Sequence, residues 1–284
     1  MRSSEELFEL ILSKAKSEER IRAVLLNGSR ANPNVKPDQF QDFDIVYIVT
    51  DLESFKRDVG WIDFFGEILV KQLPDQMTIG ETDSVSFAYL MLFKDGNRID
   101  LTLFPKDRLQ TAFKKDSLTT ILLDKDNLFQ NTPSSSNKDY LIKKPGQKEF
   151  SDVCNEFWWV STYVAKGLAR NQIIYAKYMM EGPVRVMFLK MVEWSIGIEK
   201  DFNVDVGMSG KYIKDHVSPI LYSKILRTYS DYQVENNWSA IFVMTEIFSD
   251  LAKKVAGTLS FHYDSTEEAN TLSWLTKIRS SEIQ

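Results

Sequence analysis

The sequence predicts an α+β protein: an α/β first half built on a mixed sheet, followed by an all-α helical-bundle second half. Three observations carry this. A short apolar run of strand length, Arg22–Asn27 (RAVLLN), and the β-branched run Asp44–Thr50 (DIVYIVT) interleave with helically spaced segments in the first hundred residues. Two further apolar runs, Ser86–Phe93 and Arg98–Phe104, flank Lys94-Asp95-Gly96-Asn97, whose Asp-Gly pair is a strong hairpin signal. From Phe150 onward the apolar spacing is helical almost throughout. A chain of 284 residues is long for one domain, and the polar stretch Thr132–Asn137 (TPSSSN) reads as an exposed linker. The expected domains are 1–135 and 136–284.

The elements follow in order. Residues 3–17 predict an amphipathic helix, with Ser3 or Ser4 as cap, Glu6 in the first turn and Leu7, Leu10 and Ile11 as its apolar stripe. The first strand ends at Gly28-Ser29-Arg30, and turn formers from Asn32 to Asp38 separate it from the second. Residues 52–71 carry helical spacing, with Phe55, Trp61, Phe64, Phe65 and Leu69 as core contacts. Asp95-Gly96 predicts a type I′ turn, which needs positive φ at both central residues. Helices are expected over 150–170, 172–199, 210–227, 233–257 and 265–280, the second kinked at Pro183.

Composition excludes several classes. A net charge of −5 argues against nucleic acid as the main partner, since its binders present a basic face. One cysteine, Cys154, allows neither a disulfide framework nor a cysteine zinc cluster, and is most simply a small buried hydrophobe. Two histidines, His216 and His262, are too few for a typical zinc enzyme and read as structural or surface residues. The acidic start Ser3-Ser4-Glu5-Glu6 is unlike a signal peptide, and no apolar run approaches the ~18 residues of a membrane span. A cytoplasmic protein with no membrane partner is expected. No serine sits in a Gly-x-Ser-x-Gly elbow, and no Gly-x-x-x-x-Gly-Lys-Ser/Thr occurs, against a serine hydrolase and a P-loop ATPase.

The informative constellation is Gly28-Ser29-Arg30, then Asp42-Phe43-Asp44, then Asp100. Residues two apart on a strand share a face, so Asp42 and Asp44 project together. Carboxylates that close repel, and hard divalent cations such as magnesium are their natural compensation. In Ile99-Asp100-Leu101-Thr102-Leu103, Asp100 and Thr102 face away from the apolar side. If that strand lies beside the Asp42/Asp44 strand, three carboxylates converge, a set suited to two metal ions ~3.5–4 Å apart. Gly28 permits close backbone approach to a phosphate, and Ser29 supplies hydroxyl and N–H donors. Each piece alone has a plainer meaning: a turn, a cap, an edge-strand charge. The ordered combination is more specific.

That combination resembles the signature of the polymerase-β-type nucleotidyltransferases, and more closely the aminoglycoside (streptomycin) 6-adenylyltransferases. The resembling segments are Leu26–Arg30, Asp42–Ile45, Phe87–Phe93, Ile99–Leu103, Leu122–Asp126, Asn155–Trp159 and Tyr175–Tyr178, which span nearly the whole chain. Asn27 departs from the family's usual Glu-Gly-Ser. The resemblance implies a nucleotidyltransferase first domain and a helical substrate-binding second domain. It also implies transfer of AMP from ATP to the 6-hydroxyl of streptomycin, with release of pyrophosphate and antibiotic resistance as the outcome. Asp42 and Asp44 would bind two magnesium ions, while Asp100 would ligate one of them and take the attacking hydroxyl's proton. Gly28, Ser29 and Arg30 would hold the phosphates. Ser209-Gly210-Lys211 looks like the family's Gly-Lys helix start, which puts Lys211 near the triphosphate, against the plain reading of a surface lysine.

Glu156, Trp158 and Trp159 are candidates for the drug pocket, although aromatics at helical spacing usually fill cores and Glu156 is the more suggestive partner for a guanidinium. Two alternatives stay open: another acceptor, whether a different antibiotic or a protein hydroxyl, and a silent nucleotide-binding module. A monomer is expected, with a dimer left open. Asp38–Asp100 carries 13 acidic against 5 basic residues while the rest of the chain is net +3, so the acidity belongs to the proposed metal segment. Such a field would also draw in a polycationic drug.

Overall fold

The structure, a computed structural model, describes residues 1–80 and 85–280. The chain divides into two compact units, Met1–Asp139 and Tyr140–Gln284. Helix α1 (Ser4–Ser17) opens the first unit with a capping box: Ser3 Oγ accepts from Glu6 N–H, and the Glu6 carboxylate accepts from Ser3 N–H at 2.6 Å. Strand β1 (Ile21–Asn27) leads into a 3-10 turn at Gly28–Ala31 and then β2 (Phe43–Val49). Helix α2 (Leu52–Arg57), β3 (Ile68–Gln72), β4 (Phe87–Phe93), β5 (Arg98–Pro105), the one-turn α3 (Leu109–Ala112) and β6 (Thr120–Asp124) complete the unit. Among the described residues the sheet order is β3-β4-β5-β2-β1-β6, with β2 and β5 parallel and the other pairs antiparallel. The expected mixed sheet is therefore present.

Two apolar layers fix the register. Leu7, Ile11 and Ala15 of α1 pack on Val24, Leu26, Ile45, Tyr47, Leu101 and Leu103. Tyr47 Oη, buried beneath the helix, donates to Ile11 O at 2.6 Å. Ala23, Leu25, Val46, Ile48 and Phe104 form the smaller layer on the other face. Slipping β2 by one residue would turn its charged positions into the α1 core, so burial itself specifies where Asp44 points.

Two local expectations are corrected. Residues 52–71 are not one helix: α2 is followed by a 3-10 segment Val59–Phe65, and Gly66 at φ +130° turns the chain into β3. Phe55 and Phe65 are buried and Trp61 sits edge-on between them, but Phe64 and Leu69 are exposed, Leu69 on an edge strand. The β4–β5 hairpin is present, yet its turn is not type I′. Positive φ occurs at Gly96 but not at Asp95, Gly96 N–H donates to Phe93 O, and Phe93 N–H donates to Asn97 O. This is a type I turn closed by a glycine bulge. Asp95 is held there by Arg2 Nε at 2.6 Å, an ion pair that keeps its carboxyl below the usual range. Finally, the Thr132–Asn137 stretch is tied back onto the first unit: Ser135 Oγ donates to Ala31 O, and Ser136 N–H donates to Ser117 O.

The second unit is all helical: α4 (Gln147–Ala169), α5 (Ile173–Met179), α6 (Arg185–Glu199), α7 (Pro219–Leu226), α8 (Val234–Leu259) and α9 (Ser265–Arg279). The Pro183 kink appears as a π-helical turn, Met180–Val184, between α5 and α6, where proline's missing N–H and ring displace the regular ladder. The expected helix over 210–227 shrinks to α7. Gly207, Ser209 and Gly210 all have left-handed φ, and Pro219 at the first helical position, capped by Ser218, can only start a helix. In the core Phe157 and Phe248 stack at 3.7 Å, and Cys154 is buried, which pushes its thiol up to about 12. No helix among the described residues is long and apolar enough to cross a membrane.

Candidate active site

The site lies where β1 ends and β2 and β5 begin. Asp44 stands opposite Asp100 in the parallel β2–β5 register, and Asn27, the last residue of β1, stands opposite Asp44 on the other side. Asp42 precedes the strand by one residue. Asp44 and Asp100 thus share the face turned away from α1, with Ile45 and Leu101 beneath them in the core. All three carboxylates are half-buried.

Their electrostatics are those of an under-compensated cluster. Burial, then the negative charge of Asp100 and Asp42, pushes the Asp44 carboxyl up to about 6. Burial also raises Asp42, against the pull of Arg98. Gly28, at φ +70°, abuts this group directly: a Cβ there would lie 2.1 Å from Asp44 Oδ2. Only glycine leaves room for the carboxylate at that turn. The donor set is all hard oxygen, it carries excess negative charge, and it is cradled by backbone, so these residues fit a divalent cation such as magnesium. Among the described residues no three such side chains form a ready-made metal cluster.

Arg98 is the residue of this cluster that sequence reasoning missed. Its Nε and Nη2 each reach an oxygen of Asp100 at 2.7 Å, and its Nη1 lies 3.6 Å from Asp42 Oδ2. The signal was available, since Arg98 and Asp100 are two apart on one strand and must share a face.

Other expected residues divide. The Ser29 hydroxyl makes no hydrogen bond among the described residues and is open to a ligand. Arg30 is already committed: Nε donates to Asp42 O at 3.0 Å, Nη2 to Gln41 O at 2.8 Å and Nη1 to Ser4 Oγ at 3.0 Å, with the guanidinium 3.8 Å above the Phe43 ring. Through these bonds it buttresses the backbone that carries Asp42. Lys211 is exposed, but it follows a 3-10 turn and stands at no helix start.

In the helical unit a cleft of about 690 Å³ opens between α4 and α9, walled by Asn155, Trp159, Tyr163, Lys166, Glu267 and Trp274. Trp159 is 59% exposed there, whereas Trp158 is fully buried, its Nε1 donating to Tyr263 Oη at 3.2 Å. Trp158 therefore belongs to the core and offers a ligand no surface. Glu156 is exposed on α4 but is not part of this wall. Its carboxylates are Asp264 and Glu267, and Glu267, which accepts from Asn155 Nδ2, comes from a helix more than a hundred residues away.

A mixed sheet that sets Asp44 of one strand, Asp42 just ahead of it and Asp100 of its parallel neighbour against a glycine turn, followed by an all-α unit, is an α+β nucleotidyltransferase architecture. The sequence narrows this. Residues 1–278 match the family model for streptomycin adenylyltransferase, and the chain belongs to that family. It is 40% identical to an aminoglycoside 6-adenylyltransferase of Campylobacter jejuni, over 94% of this chain and 93% of that one. It is 39% identical to one of Bacillus subtilis (strain 168), over 95% and 96%. A crystal structure of an aminoglycoside 6-adenyltransferase from Bacillus subtilis aligns over 98% of this chain and 99% of that one, at 34% identity and a TM-score of 0.49. The chain is accordingly an enzyme of the adenylyltransferase class, with ATP as co-substrate.

Proposed function

We propose that the enzyme transfers AMP from ATP to the 6-hydroxyl of streptomycin, using Asp42, Asp44 and Asp100 as its catalytic carboxylates. The observation that carries the reading is the register pairing Asp44 with Asp100 across β2 and β5 beside the Gly28 turn. The acceptor hydroxyl attacks the α-phosphorus, a new P–O bond forms, the α–β anhydride bond breaks and pyrophosphate leaves. Asp100 accepts the hydroxyl proton. Asp42 and Asp44, with Asp100, would hold two magnesium ions, which supply charge neutralisation at the transferring phosphoryl group. Gly28 N–H and the Ser29 hydroxyl and N–H hold the phosphates, and Arg30 fixes the Asp42 backbone.

For the acceptor, the α4–α9 cleft offers aromatic faces with a carboxylate and amide, the chemistry that suits a hydroxylated, cationic sugar. Trp159→Ala is expected to raise KM for streptomycin several-fold with Tm unchanged. Trp158→Ala should instead cost about 3–5 kcal/mol of stability, as large core truncations do. Binding and melting measurements on both variants check the division, and a Trp159→Ala enzyme with unchanged KM removes the cleft from the reading. The reaction itself is tested by incubating enzyme, ATP and magnesium with streptomycin and locating the added AMP by NMR. A mass gain of one AMP on spectinomycin, kanamycin or a lincosamide, and none on streptomycin, would refute the acceptor. Nucleotide binding without pyrophosphate release would leave only a silent binding module.

A further inference from the structure

We propose that Arg98 is the carboxylate site's own counter-ion: its guanidinium holds Asp100 and Asp42 together in the metal-free enzyme, and a divalent cation must displace it. The inference rests on the reading that these aspartates bind metal. Three features lead to it. First, the contact is a two-pronged fork on Asp100, with both carboxylate oxygens engaged at 2.7 Å, and it reaches across to Asp42 at 3.6 Å. It thereby bridges the two parallel strands that supply the site. A fork of this kind neutralises a carboxylate with geometric specificity.

Second, the fork uses the same oxygens that a hard dication would take. A dication there meets the guanidinium's positive charge at close range, and the two compete for one negative cluster. Third, Arg98 is free to leave. Its side chain is 43% exposed at the start of β5, so a rotation of its long stem places the head in water at small cost, as a buried arginine could not. Arg30, the other cation beside the site, lacks this freedom because its nitrogens are spent on Gln41 O, Asp42 O and Ser4 Oγ. The two arginines divide the work: Arg30 fixes the Asp42 backbone, and Arg98 is a displaceable charge. Arg98 is thus a positioning residue that keeps the repelling aspartates ordered between turnovers and lowers their affinity for free divalent metal.

Manganese binding to the full-length enzyme without nucleotide, measured by calorimetry or by electron paramagnetic resonance, tests this apart from activity. R98Q is expected to bind Mn²⁺ about tenfold tighter than wild type or more, as removal of a close like charge requires, and to melt lower without metal. R98K keeps the charge without the fork and should fall between. In wild type, α-dicarbonyl modification mapped to Arg98 by mass spectrometry should accelerate when Mn²⁺ is added, a readout that needs no variant. Equal or weaker Mn²⁺ binding in R98Q and R98K, or Arg98 labelling indifferent to Mn²⁺, overturns the inference while leaving the metal reading intact. Absence of Mn²⁺ binding in wild type and R98Q alike overturns both.

Discussion

Asp44→Asn is expected to abolish AMP transfer, by at least ~10²–10⁴-fold as for a lost catalytic group, while the metal-free protein melts higher than wild type. The two effects share one cause. Burial first, then the charges of Asp100 and Asp42, lift the Asp44 carboxyl from 3.8 to about 6. A carboxyl whose folded pKa lies above its unfolded value binds its proton more tightly in the native state. Its contribution to stability is therefore largest below pH 3.8, declines as pH rises through about 6, and is flat above. Two units would amount to about 3 kcal/mol, which solvent screening at this half-buried position reduces to about 1–2. Asparagine keeps the shape and removes the charge, so the Tm difference between variant and wild type should open between pH 3.8 and about 6 and then stay constant. Magnesium relieves the same repulsion in wild type and should narrow that difference. Melting curves across pH, with and without magnesium, read it directly. Near-normal turnover in Asp44→Asn would sink the site assignment, and an unchanged metal-free Tm would show that the carboxylate cluster is not under strain.

The elements that were legible in the sequence are those whose burial is one-sided and local. The α1 cap, the apolar run of β1, the β-branched β2 and the β4–β5 hairpin could be read directly, because a single period or a single turn decides each. The placement of the candidate aspartates was legible for the same reason: period two places Asp42 with Asp44 and Asp100 with Thr102. What the period could not supply was the pairing of β2 with β5, which needs a crossover through α2, β3 and β4. Residues 52–71 misled because Phe55, Trp61 and Phe65 contact one another through an edge-to-face cluster whose spacing a 3-10 segment also satisfies. The two tryptophans side by side on α4 look alike in sequence. A helix turns about 100° per residue, and that alone buries Trp158 and exposes Trp159. Glu267 was out of reach, because nothing within α9 shows that it faces Asn155.

Gly28→Ala is the second large effect expected, and it separates sterics from backbone strain. At φ +70° an alanine costs about 1–2 kcal/mol merely to adopt the left-handed region. Here its Cβ would also stand 2.1 Å from Asp44 Oδ2 and 2.9 Å from Cγ, so the carboxylate must move. A displacement of about 1 Å in a catalytic group can cost ~10²-fold in rate, and at least that loss is expected. Gly80 provides the control, since it has φ +89° with nothing among the described residues within 4 Å of a Cβ. Gly80→Ala should show the strain alone and keep full activity. The clash is then isolated by a double-mutant cycle with Asp44→Ala, which removes Oδ2 and Cγ and leaves the Asp44 Cβ at a tolerable 3.4 Å. Gly28→Ala should destabilise the Asp44→Ala background less than the wild-type background, by about 1 kcal/mol or more, as contacting sites do. Additive melting effects would mean that the carboxylate does not press on the turn. In that case the activity loss of Gly28→Ala would have to come from phosphate binding, visible as a raised KM for ATP with kcat retained.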